Sequence, residues 1–114
     1  MKVIIADDEP VIIKGLKVLV DWQAGDLQIF AEASDGQELW NLVQQYQPDI
    51  VVSDISMPNM TGLDFMRKLN QTELKTKVIF ISGYQKFSYV QEAIGLGAID
   101  YLLKPVQKHA LEEA

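Results

Sequence analysis

Residues 48–62 read PDIVVSDISMPNMTG, and this stretch decides which fold and which kind of site we expect. Its turn proline is followed by the apolar residues 50–52, which are typical of a short strand buried on both faces. Asp54 stands where that strand should end, and a loop with proline, asparagine and glycine follows it. In open α/β sheets, ligands bind outside the carboxyl ends of the strands. The stretch therefore predicts a buried strand that presents Asp54 to a ligand.

Other segments also have the composition of strands. Residues 3–6 and 78–81 are short, entirely apolar runs, and residues 98–103 form another strand pattern near the end of the chain. Residues 27–33 differ, because apolar and polar residues alternate there with Phe30 as the exception. This alternation indicates an edge strand with one wetter face. The apolar residues expected to alternate with the polar ones are Leu27, Ile29, Ala31 and Ala33.

Apolar residues at helical spacing separate the strand segments. Pro10 suits the first turn of one helix, and Ser34 and Gln37 have the spacing of a capping box for another. Thr61 and Asp64 repeat that spacing before a third helix. Five alternating strand–helix units predict a parallel sheet with helices on both faces. Because the second strand has an edge pattern and crossovers are right-handed, we expect a flavodoxin-like (βα)5 doubly wound α/β sheet with strand order 2-1-3-4-5.

Bulk composition limits the class of protein. A chain of 114 residues and 12.9 kDa with 48% hydrophobic residues can form one domain with one core. Its formal net charge of -6 argues against a nucleic-acid interface within this chain. The chain has no cysteine, which excludes disulfide and thiolate chemistry, and no apolar run approaches the roughly 20 residues of a membrane span. We expect a cytoplasmic setting without membrane contact.

The carboxyl ends of parallel strands lie at one edge of the sheet, so the predicted fold brings several polar residues together. They are Asp7 and Asp8 after the first strand, Asp54 after the third, Ser82 after the fourth and Lys104 after the fifth. Three neighbouring carboxylates repel one another unless a cation lies among them. Because the donors are all oxygen atoms, we expect Mg²⁺ or Mn²⁺ rather than zinc.

Lys104 and Ser82 have a different expected role, because an ammonium and a hydroxyl near a metal-bound carboxylate form a cradle for a phosphoryl group. Asp54 would then be the nucleophile that attacks phosphorus. Each residue alone also has an ordinary structural explanation, since acids such as Asp7 and Asp8 favour a helix N-terminus. Their joint arrangement at one edge favours a site over those separate explanations.

Four segments, in order, resemble a known family. They are residues 4–10, residues 49–58 together with 62–63, residues 82–84 and residues 100–105. Over essentially the whole chain, the sequence resembles a receiver domain of the response regulators of bacterial two-component systems. The resemblance implies the 2-1-3-4-5 sheet and a role in phosphorelay signal transduction, in which a sensor histidine kinase phosphorylates Asp54.

The resemblance also implies roles for the other residues of the site. Asp8 binds Mg²⁺ directly and Asp7 binds it through water, while Asp54 and the backbone carbonyl of Ser56 complete the protein ligands. Lys104 pairs with the phosphoryl group.

The resemblance further implies that two residues take part in a conformational switch. Ser82 moves towards the phosphoryl group, and Tyr101 turns inward to fill the vacated space. Without the resemblance, Tyr101 would be explained as a half-buried tyrosine of an edge strand. The surface of the fourth helix, fifth strand and fifth helix changes with the switch and commonly forms homodimers in the family. We therefore expect a histidine kinase and a second copy of the chain as partners.

Residues 82–89 and 93–98 resemble the subgroup of response regulators that carries AraC-type helix-turn-helix output domains. We therefore expect residues 1–114 to be the N-terminal receiver domain of a longer transcription regulator. In that interpretation, DNA is bound only by a C-terminal domain outside this chain.

Two other functions stay open. A hydrolase could work through an aspartyl-phosphate, but dehalogenase-type phosphatases need a second acid two residues after the nucleophile, where this chain has Ser56. We therefore expect a phosphoacceptor switch with at most slow self-phosphorylation and dephosphorylation, not a turnover enzyme. A phosphate-independent interaction module could also keep the fold, and the full set of site residues argues against it.

Overall fold

The structure, a computed structural model, describes residues 1–19, 22, 27–83 and 87–103. Its strands are β1 (Lys2–Ala6), β2 (Gln28–Ala33), β3 (Ile50–Asp54), β4 (Lys77–Ser82) and β5 (Asp100–Leu103). Its helices are α1 (Pro10–Leu19), α2 (Gly36–Tyr46), α3 (Gly62–Asn70) and α4 (Phe87–Gly95). The predicted fifth helix, from Val106 onwards, lies outside the described residues.

All five strands pair in parallel in the order β2-β1-β3-β4-β5, so the predicted topology is confirmed. β5 begins at Asp100, two residues later than the pattern of residues 98–103 predicted. Ala98 belongs instead to the turn that follows α4, since its amide donates to the carbonyl of Ala93 at 3.1 Å. Gly97 has a φ of 98°, a left-handed conformation that lets the chain leave the helix.

Apolar side chains cover both faces of the sheet, as expected for a parallel sheet. Helices α2, α3 and α4 pack on one face, in a cluster that includes Ile4, Val51, Phe80, Leu39, Phe65 and Ala93. Helix α1 packs on the other face, in a cluster that includes Val3, Ile5, Val52, Ile81, Ile13 and Leu16. None of the described helices is long and apolar enough to cross a membrane.

Strand β2 lies at the edge as predicted, and its exposed residues alternate with less exposed ones as expected, but an irregularity in its pairing means that they do not share one face. Residues Val3 and Ile4 of β1 pair with Ile29 and Ala31, so Phe30 is an extra residue in β2. An extra residue reverses the side-chain alternation beyond it. Ile29 therefore packs in the α1 cluster, whereas Ala31 packs in the cluster of the opposite face.

The structure also corrects the predicted start of α2. The residue that caps the helix is Asp35, whose carboxylate accepts from the amide of Glu38 at 2.8 Å. The Glu38 side chain reaches back and accepts from the amide of Ser34 at 2.7 Å. Asp35 and Glu38 have the same three-residue spacing as Ser34 and Gln37, so the capping pair lies one residue later than predicted, and Glu38 binds the amide of the residue before the cap. The predicted cap of α3 by Thr61 is confirmed.

The loop between β3 and α3, residues 55–61, is closed by a hydrogen bond from the amide of Gly62 to the carbonyl of Ile55 at 2.7 Å. A Cβ atom at Gly62 would lie 2.5 Å from the carbonyl oxygen of Asp54 and 2.9 Å from the ring of Phe80. This close approach requires a residue without a side chain at the first position of α3.

We expect Gly62→Ala to lower the free energy of unfolding by about 1–3 kcal/mol, because backbone and a buried ring must move to accept the methyl group. The control is Gly15→Ala in α1, where, among the described residues, no atom outside the adjacent turns of the helix lies within 4 Å of the added Cβ. That change should raise the free energy of unfolding by about 0.5–1 kcal/mol through helix propensity. Urea denaturation measures both, and equal midpoints for the two variants would contradict the packing argument.

Candidate active site at the carboxyl edge of the sheet

The register of the central strands aligns the residues that follow them. Ala6 of β1 lies opposite Ser53 of β3, so Asp7 and Asp54 are the next residues along two hydrogen-bonded strands. Ser82 ends β4, the strand on the other side of β3. The sheet therefore presents these side chains at one edge, as the sequence predicted.

Asp7, Asp8 and Asp54 form one cluster, in which one carboxylate oxygen of each lies within 4.8 Å of the others. Asp7 and Asp54 are only 1% and 5% exposed, whereas Asp8 is exposed. The cluster thus combines two buried carboxylates with one that faces solvent. A cavity of about 260 Å³ borders Asp7 between α1 and the beginning of α2.

Backbone contacts hold the two buried carboxylates in place. The amide of Asp7 donates to the carbonyl of Ala33 at 3.0 Å, which ties the end of β1 to the end of β2. One carboxylate oxygen of Asp7 accepts from the amide of Glu9 at 2.9 Å. Asp54 accepts from the amide of Ser56 at 3.4 Å, a long hydrogen bond to the start of the β3–α3 loop.

The donor chemistry of the cluster fits a hard divalent cation. All three groups offer carboxylate oxygens, which Mg²⁺ and Mn²⁺ prefer. The chain contains no cysteine, and its one histidine, His109, lies outside the described residues. Carboxylates this close repel one another, and a bound cation would remove that repulsion. Asp7, Asp8 and Asp54 could therefore hold Mg²⁺.

Ser82 is fully buried and lies in register with Leu103, the last residue of β5. Tyr101 lies in register with Phe80 and packs, partly buried, against the cluster formed by α2, α3 and α4. Lys104 lies outside the described residues, so its predicted position at this edge stays a prediction.

The sequence did not predict the contacts between the start of α2 and the β3–α3 loop. The amide of Asn59 donates to the carboxylate of Asp35 at 3.2 Å, and the backbone amide of Gly36 donates to the carbonyl of Pro58 at 3.3 Å. Both contacts join the start of α2 to the β3–α3 loop. The signal available in the sequence was the Asp-Gly pair at positions 35 and 36 and an asparagine that tolerates a left-handed backbone, here with a φ of 67°.

The chain matches the family described as "Response regulator receiver domain" over residues 3–114. Transcriptional regulatory protein HptR from Staphylococcus aureus (strain NCTC 8325 / PS 47) is 40% identical over 111 residues, which are 97% of this chain and 43% of that protein. The chain therefore spans less than half the length of this relative.

Solved structures are also similar to this chain. The receiver domain of AraT, a response regulator from Geobacillus stearothermophilus, is 42% identical with a TM-score of 0.90, and the match covers 98% of this chain and 87% of that chain. A CheX-CheY-BeF3-Mg complex from Borrelia burgdorferi is 26% identical with a TM-score of 0.89 and coverage of 99% and 84%. Sequence, sheet order and acidic edge agree, and the chain belongs to the receiver domain family of response regulators, the phosphoacceptor switch domains of two-component signalling.

Proposed function

We propose that this receiver domain accepts a phosphoryl group on Asp54 from a sensor histidine kinase, in a reaction that requires Mg²⁺ or Mn²⁺. The observation that carries the proposal is the cluster of Asp7, Asp8 and Asp54, with carboxylate oxygens within 4.8 Å of one another at the carboxyl edge of the sheet. Burying one acid beside two others destabilises the folded state. Beside a bound cation, the same acid can act as a nucleophile.

In the proposed step, a carboxylate oxygen of Asp54 forms a bond to phosphorus. The bond between phosphorus and the imidazole nitrogen of the kinase breaks, and its electron pair stays with that nitrogen. Asp7, Asp8 and the backbone carbonyl of Ser56 would hold the cation together with Asp54. When bound, the cation supplies positive charge that offsets the charge of the phosphoryl oxygens.

The proposal keeps the predicted roles of the remaining site residues. Lys104 pairs with the phosphoryl group, Ser82 donates its hydroxyl to it, and Tyr101 then turns inward. The position of Ser82 at the end of β4, beside β3, supports its role. Tyr101 is partly buried on β5, next to α4. This position supports the proposal that its movement changes the surface formed by α4, β5 and the predicted fifth helix. We propose that this face forms a homodimer.

A phosphatase function is less well supported. The position two residues after Asp54 is Ser56, which supplies no second acid to turn over the phosphorylated form. A phosphate-independent interaction module is also less well supported, since it would have no use for three carboxylates that repel one another at one edge. We therefore propose a switch with at most slow self-phosphorylation and dephosphorylation.

We further propose that the chain is the N-terminal part of a longer cytoplasmic regulator with a DNA-binding output domain of the AraC type. Support comes from the relative HptR, which is named a transcriptional regulatory protein and is more than twice as long as the matched segment. The negative charge of this chain supports DNA contact through another domain only.

The first test is covalent. With a small phosphodonor and Mg²⁺, we expect the chain to gain one phosphoryl group, detected by intact mass spectrometry, and Asp54→Asn to gain none. Asp49→Asn is the control, because Asp49 is an exposed aspartate at the opposite edge, where it accepts from the amide of Lys2. Unchanged phosphorylation of Asp54→Asn would exclude Asp54 as the acceptor.

The second test is thermodynamic. Mg²⁺ at about 100 times its dissociation constant should stabilise the chain by about 2.7 kcal/mol, because it binds the folded state only. Asp8→Asn should lose most of this gain, and without metal it should be more stable than the unsubstituted chain because one repelling charge is removed. Glu73→Gln, which removes an exposed charge on the α3–β4 connection, is the control. A full Mg²⁺ response in Asp8→Asn would contradict its role as a ligand.

A further inference from the structure

The β3–α3 loop, residues 55–61, connects Asp54 to α3 and carries Ser56. Within the loop, the amide of Met60 donates to the carbonyl of Pro58 at 2.7 Å, which makes a tight turn around Asn59. This turn and the closing bond from Gly62 to Ile55 set the shape of the loop. Ile55, Met57 and Met60 of the loop pack in the core cluster, and polar contacts with a neighbouring element add to that packing.

The start of α2 supplies those contacts. One carboxylate oxygen of Asp35 accepts from the amide of Glu38 at 2.8 Å and caps the helix, while the other accepts from the side-chain amide of Asn59 at 3.2 Å. The backbone amide of Gly36 donates to the carbonyl of Pro58. A Cβ atom at Gly36 would lie 2.5 Å from the carbonyl carbon of Met60, so the loop lies directly against the helix.

An aspartate at position 35 and an asparagine at position 59 suit a contact between helix and loop, which helix capping alone would not require. A serine or threonine hydroxyl at position 35 would satisfy the helix amide, as Thr61 does for α3. A carboxylate has a second oxygen, and here that oxygen binds the loop. Asn59 combines a side-chain donor with tolerance of its left-handed φ of 67°.

We propose that Asp35 and Asn59 are positioning residues, which hold the β3–α3 loop so that Ser56 stays next to Asp54. The inference rests on the proposed function, in which the Ser56 carbonyl and Asp54 both bind the cation. The contact to be protected is the hydrogen bond from the Ser56 amide to Asp54, which is already long at 3.4 Å. A small shift of the loop would break it and displace the neighbouring carbonyl.

Residues that orient metal ligands commonly influence metal affinity strongly without touching the metal. Neither Asp35 nor Asn59 belongs to the acid cluster, so in this proposal they act through the position of the loop. Loss of their hydrogen bond should therefore weaken Mg²⁺ binding and leave the charge of the three ligand carboxylates unchanged.

The test uses substitutions that remove this hydrogen bond and keep the local backbone. Asp35→Ser keeps a helix cap but loses the second acceptor. Asn59→Gly keeps a left-handed backbone but loses the donor. Titration with Mg²⁺ followed by NMR should show that each variant binds about three- to tenfold more weakly, the range expected for one hydrogen bond. The double variant should bind no more weakly than either single one, because both remove the same contact.

Amide hydrogen exchange of residues 55–61 provides a readout that needs no metal. Exchange of these amides should be faster in both variants, whereas exchange within β1 and β3 should be unchanged. Asp35→Asn is the conservative variant, because its side-chain oxygen can still accept from the Glu38 amide while its nitrogen donates to the oxygen of a flipped Asn59 amide. Slow exchange and Mg²⁺ affinity should therefore be restored.

Several outcomes would overturn this proposal. Mg²⁺ affinity equal to that of the unsubstituted chain in Asp35→Ser would do so, as would additive losses in the double variant. Equal losses in Asp35→Asn and Asp35→Ser would mean that the charge of Asp35 acts, and not its contact. If the unsubstituted chain itself binds no Mg²⁺, the proposed function fails together with the positioning role. If the unsubstituted chain binds Mg²⁺ and the variants bind it equally tightly, only the positioning role is overturned.

Discussion

Ala6 lies opposite Ser53 in the parallel pairing of β1 with β3, and the geometry of the acidic edge depends on that register. The next residue along each strand is an aspartate, so parallel pairing brings Asp7 and Asp54 together without any contribution from a loop. A slip of one residue would turn the side chains of one strand to the opposite face and separate the carboxylates. The apolar residues on both faces of the sheet favour this register, because it places them in the two core clusters.

The acidic edge and the core make opposite contributions to stability. Carboxylates held this close repel one another, and two of them are almost fully removed from water. The apolar clusters on both sheet faces must offset that cost. Local disagreement between sequence preference and structure is expected where a site carries function. Ser82, also fully buried at this edge, adds a further polar group that a simple core would not contain.

Much of the fold could be predicted from the chain because each central strand contains an uninterrupted apolar run. Such runs identify buried parallel strands directly, and Asp7, Asp8 and Asp54 follow from where those runs end. Phe30 interrupts the alternation of β2 in the sequence, but the interruption alone does not distinguish a bulge from an exposed aromatic residue in a regular strand. The cap of α2 was misplaced because two residue pairs have identical spacing. The hydrogen bond between Asn59 and Asp35 joins segments 24 residues apart. The Asp-Gly pair and Asn59 are each visible as local signals, but nothing in the sequence pairs them with each other.

The bulge in β2 has a consequence for the behaviour of the protein at high concentration. An exposed edge strand is a template on which another chain can add a strand, which is a common start of aggregation. The extra residue interrupts the regular spacing of backbone groups along β2. The ring of Phe30 packs edge-on against Tyr46 at 4.7 Å between ring centres, and an ion pair between Lys17 and Glu32 places charge on the same strand. Irregularity and charge together make this edge a poor template for polymerisation.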